Sequence, residues 1–62
     1  LAVVYRCFNL DPGNHIIGVD FIEAEGDLDA CHRAHDLKVS RNWHAMELWQ
    51  LKRKVSCPKV NP

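Results

Sequence analysis

The run that comes closest to chemistry is Cys31-His32-Arg33-Ala34-His35. On a helix, Cys31 and His35 stand four positions apart on one face, where a thiolate and an imidazole can hold the same soft cation. That pair is two ligands short of a closed zinc site. His15, His44, Cys7 and Cys57 lie at no familiar ligand spacing, and there is no Cys-x-x-Cys. The expectation is therefore no metal and no cofactor, with Cys31 a small buried residue and His35 partly exposed. A nucleophilic cysteine needs a thiolate, a nearby base and an oxyanion hole. Cys31 falls inside the helix, away from the N-terminal amides that lower a thiol pKa. The carboxylates between positions 20 and 29 crowd a turn and a helix start, where capping accounts for Asp27 and Asp29. No glycine-rich phosphate loop is present. These residues predict a protein that is not an enzyme.

A second chemistry would use cations beside aromatic rings. Arg41, Lys52, Arg53, Lys54 and Lys59, with Trp43 and Trp49 near them in sequence, are the residue types that grip a nucleic-acid backbone and stack its bases. Against this stands the charge balance. Eight acidic and eight basic residues give a formal net charge of zero. The acids cluster between Asp11 and Asp36 and the bases from Lys38 onward, so one half would repel phosphate. A strand ending in Lys-Arg-Lys also serves to block edge-to-edge aggregation. A small nucleic-acid-binding or metal-binding regulator is thus the alternative reading.

The elements that must position these residues follow from pattern. Residues 2–10 are rich in β-branched and aromatic side chains and read as a strand. Asp11-Pro12-Gly13-Asn14 is a turn, in which Pro presets φ, Gly accepts positive φ, and Asp and Asn bond to nearby backbone. Residues 15–24 return, with Ile17, Val19 and Phe21 on one face and Ile16, Gly18, Asp20 and Ile22 on the other. Asp27 then caps a helix over about 28–39, whose stripe of Ala30, Cys31, Ala34 and Leu37 is expected to be buried against Met46 and Leu48. A third strand spans about 44–54, with Trp49 and Leu51 pointing the same way. This makes an α+β fold of ββαβ order: a three-stranded antiparallel sheet in the order 2-1-3 with one helix on one face. The domain covers 1–55, and residues 56–62 form a loosely attached tail.

Sixty-two residues bury only about 60% of the surface the unfolded chain exposes. One helix covers one sheet face, and the other stays wet or is covered by something else. Trp49, Tyr5, Phe8, Ile22, Leu51 and Ile16 are the large side chains expected there. A contiguous apolar patch marks an interface, and a second copy is the simplest cover. The expected function is a small, self-associating interaction or structural module, a homodimer through the Trp49 face or an open strand edge. No apolar run reaches the length of a membrane span. Three scattered cysteines point to a reducing cytoplasm rather than a disulfide scaffold.

Tyr5-Arg6-Cys7-Phe8, Leu10-Asp11, Gly13, His15-Ile16, an acidic entry to an alanine-containing helix, and Glu47-Leu48-Trp49-Gln50 with the following Lys52-Arg53-Lys54 form a recognisable set. Over about residues 4–55 the chain resembles a group of short uncharacterised bacterial ββαβ proteins whose final strand carries a Glu-Leu-Trp-Gln-like tetrad. The resemblance implies a hairpin, a helix and a closing strand. The group has no assigned activity to carry over, and Cys31, His32 and His35 depart from its Ala/Leu-rich helix.

Overall fold

The computed structural model describes residues 1–58. Its elements are β1 (Val3–Leu10), β2 (Ile16–Ala24), α1 (Asp27–Ser40), β3 (Ala45–Gln50) and β4 (Arg53–Val55). They form an antiparallel sheet in the order β2-β1-β3-β4 with α1 on one face. The α+β class, the single helix and the 2-1-3 order are as the sequence predicts. The sheet has four strands rather than three. The segment that reads as one long third strand is a hairpin, broken at Leu51, whose φ of 56° lies in the left-handed region that a branched leucine seldom enters. The chain reverses there, and Arg53–Val55 pairs back onto Leu48–Gln50.

Local chemistry explains each boundary. In the first turn Asp11 accepts from the His15 N–H through its carboxylate (2.9 Å) and from the Asn14 N–H through its carbonyl (2.9 Å). The positive φ falls on Asn14, at 67°, rather than on Gly13, and asparagine tolerates it. Gly26, not Asp27, is the N-cap, and Asp27 is the first helical residue. Asp29 reaches back to accept from the Glu25 N–H at 3.1 Å, which satisfies a backbone donor just ahead of the helix. At the other end the Asn42 N–H bonds Val39 O and the Trp43 N–H bonds Lys38 O, with Asn42 at φ 56°. This is a Schellman ending with asparagine in the left-handed position.

The core lies between α1 and one sheet face. Tyr5 and Cys7 of β1, Ile22 and Ala24 of β2, Leu48 of β3 and Val55 of β4 pack against Ala30, Cys31 and Ala34. Ala30 and Ala34 are wholly buried, and their small side chains let the helix axis approach the sheet. Leu37, expected to be buried with them, is only partly covered at the margin of this cluster, as is Met46.

The end of the domain is tied more firmly than the sequence implies. Cys57 forms a disulfide with Cys31, their Cα atoms 5.5 Å apart, which fastens the chain after β4 to the helix. Residues 56–58 are therefore not a loose tail up to this point, and the rest of the 56–62 segment lies outside the described residues. Only Cys7 is free among the described residues, so the cysteines do not point to a reducing compartment. No described helix is long and apolar enough to cross a membrane.

Candidate functional site

Strand register decides which side chains share the helix-free face. Arg6 lies at its centre, opposite Phe21 of β2 and Trp49 of β3. Phe8 lies opposite Val19 and Glu47, Val4 opposite Glu23, and Trp49 opposite Lys54. The Arg6 guanidinium sits 5.4 Å from the Phe8 ring centroid and donates to the Leu51 carbonyl. Trp49 Nε1–H donates to Glu47 Oε1 at 3.1 Å, and Lys54 Nζ stands 3.8 Å from Glu47 Oε2. A shallow cleft of about 270 Å³ opens among Arg6, Phe8, Ile16, Glu47 and Trp49.

Two features of this face bear on function. Its charges are balanced, with Arg6 and Lys54 against Glu23 and Glu47, and Arg6, Trp49, Glu47 and Lys54 find their partners within the chain. It is also most exposed along β2, where Phe21 is 70% accessible, Ile17 62%, Ile16 58% and Val19 46%. Trp49 and Phe8 are only partly exposed.

The expected interface residues therefore divide. Trp49, Phe8 and Ile16 border the helix-free face. Tyr5 and Ile22 do not: they are 2% and 6% exposed in the core under α1, because register places them with Cys7 and Ala24. Leu51 is an exposed turn residue rather than a strand residue. Phe21, Val19 and Ile17 were missed as surface residues. Period-two alternation already groups them. It does not say which group the helix covers.

The chemical candidates lose their partners. Cys31 shares its sulfur with Cys57, beside a cleft of about 290 Å³ lined also by His32, His35 and Lys38. A disulfide sulfur offers no thiolate for a metal. Among the described residues no three His, Cys, Asp or Glu side chains gather as ligands. Cys7 is wholly buried, and burial first, then the Asp20 charge, pushes its thiol up to about 11. It is protonated at neutral pH and unreactive.

The candidate phosphate-gripping cations are engaged as well. Arg41 donates to Asp20 at 2.9 Å, Arg53 makes two bonds to Asp27 at 2.8 and 2.9 Å, and Lys54 faces Glu47. Only Lys52 of the four has no such partner among the described residues. Lys59 lies outside them.

The Arg53–Asp27 pair belongs to a clamp. Tyr5 Oη, from beneath the helix start, also donates to Asp27 Oδ1 at 2.8 Å. One carboxylate thus joins β1, α1 and β4. The Arg53 hydrogen bonds first, then that of Tyr5, hold the Asp27 carboxyl down at about 2. The same bond to Asp27 raises the Tyr5 phenol. The folded carboxyl binds its proton more weakly than the unfolded one, so the unfolded chain takes up more protons as pH falls. The clamp's contribution is complete above the ordinary carboxylate value of 3.8 and is lost as pH falls through about 2. Urea midpoints measured across this window should fall more steeply for the wild type than for Asp27→Asn. Equal slopes would show that the clamp does not couple to folding.

Comparison with protein-family models, curated proteins and solved structures returns no match. The functional reading therefore rests on the chemistry of the surface.

Proposed function

We propose that this chain is a non-enzymatic interaction module that associates with a second copy of itself through the exposed apolar surface centred on β2. The observation that supports it most is the row Ile17, Val19 and Phe21, each at least 46% exposed on a single strand of a very small domain. Isolated exposed apolar residues are ordinary, but a contiguous set marks an interface. Balanced charge fits a self-complementary contact better than an anionic partner. The alternative of a nucleic-acid- or metal-binding regulator has less support, since Arg41, Arg53 and Lys54 are paired with carboxylates and Cys31 is bonded to Cys57.

Light scattering over a concentration series tests this reading. The molar mass should rise toward twice the 7.1 kDa of one chain. Phe21→Glu should weaken the dimer about thirtyfold, the effect of losing one central aromatic anchor, with its circular dichroism unchanged. A monodisperse monomer at high micromolar concentration rules the proposal out.

A further inference from the structure

Resting on the self-association reading, we infer that the second copy joins edge to edge along β2, with Val19 of both copies on the twofold axis. The two four-stranded sheets then merge into one of eight strands.

The edges of the sheet are not alike. One edge is β4, three residues long, carrying Arg53 and Lys54 beside Lys52. Short length and clustered cations are standard guards against strand addition. The other edge is β2, nine residues with no Lys, Arg or Pro. Its Asp20 is already bonded to Arg41 of its own chain. A bulge at Ile17, which has no partner on β1, ends the regular ladder near one end and is the guard this edge does carry. The edge that lacks both cations and proline is thus also the strand with the most exposed apolar side chains.

A twofold axis perpendicular to the sheet pairs β2 antiparallel with its copy and leaves both helices on one side. Each residue then faces one on the same sheet face, and the choice of centre fixes every pair. Centring on Asp20 sets two carboxylates directly opposite each other. Centring on Gly18 sets Phe21 opposite the partner's His15 and Asp20 opposite the partner's Ile16. Centring on Phe21 sets Glu23 opposite the partner's Val19 and Ile22 opposite the partner's Asp20. Centring on Val19 sets Val19 opposite itself, Phe21 opposite the partner's Ile17, and Asp20 opposite the partner's Gly18, which has no side chain to meet. Only this register makes a continuous strip of six apolar side chains from two copies, and aromatic–β-branched pairs are among the favourable cross-strand contacts.

Cross-linking reads the register directly. Directly opposed residues on antiparallel strands have Cα atoms about 4.5–5.5 Å apart, within disulfide range. Val19→Cys should therefore link to its own copy under mild oxidation. Phe21→Cys and Ile17→Cys should each link at least about tenfold more slowly alone, yet link readily when mixed. Val19→Lys should give a folded monomer, and Trp49→Glu should leave the dimer intact.

A wild-type monomer overturns both this inference and the reading beneath it. A wild-type dimer in which Val19→Cys links no faster than Phe21→Cys overturns the register alone. Loss of the dimer in a folded Trp49→Glu variant points to face-to-face stacking and overturns the edge arrangement. Should Val19→Cys fail to fold, the mixed Ile17→Cys and Phe21→Cys pair decides the same question.

Discussion

Replacing Cys57 with Ser is expected to lower the stability of the fold by about 3.5 kcal/mol. The bond spans 26 positions of sequence, from inside α1 to just beyond β4. Closing a loop of that length in the unfolded chain removes about 12 cal/mol/K of entropy, which gives that figure at 25 °C. A single core of this size supplies roughly 3–5 kcal/mol, so the variant should be close to its unfolding midpoint in buffer. Urea unfolding with and without reductant measures the effect, and thiol titration of the denatured protein should count one free group, Cys7. A shift below about half a kcal/mol would show that the bond restrains little. Three free thiols would show that it does not form.

Leu48→Ala carries the other large penalty. Leu48 is 1% exposed, lies opposite Cys7 and Val55 in the register, and faces the buried side of α1. Truncating a leucine at such a site costs about 2–5 kcal/mol, the loss of apolar transfer plus the cavity left behind. The surrounding Ala30, Ala34 and Cys31 have few atoms with which to refill the space. The variant should be largely unfolded by near-ultraviolet circular dichroism at 25 °C. Leu37→Ala, at the partly exposed margin, should lose clearly less. Equal losses at the two positions would mean that the core is centred nearer the helix C-terminus than the packing indicates.

The sequence carries much of this architecture and omits some of it for identifiable reasons. β-Branched and aromatic residues mark β1 and β2, and the Asp-Pro-Gly-Asn turn joins them. The helix shows itself by spacing, although Asp27, which reads as a cap, spends its carboxylate on Tyr5 and Arg53 from other elements. β4 is hidden because the turn before it is built on Leu51 and Lys52, neither of which signals a reversal. The disulfide is hidden because three cysteines allow three pairings and no spacing selects one. The candidate surface was half visible. Alternation separates the Phe21 set from the Ile22 set, but only the tertiary packing of α1 over Ile22, Ala24 and Tyr5 shows which set is left outside.

Cys7 gives the fold an internal clock. It lies on the central strand, opposite Asp20 on one side and Leu48 on the other, with none of its surface accessible. A thiol reagent cannot reach it until β1 parts from a neighbour or the helix lifts. Its labelling rate at neutral pH is therefore a measure of how often the whole sheet opens. That rate can be read by mass alone, at concentrations low enough that any second copy has dissociated.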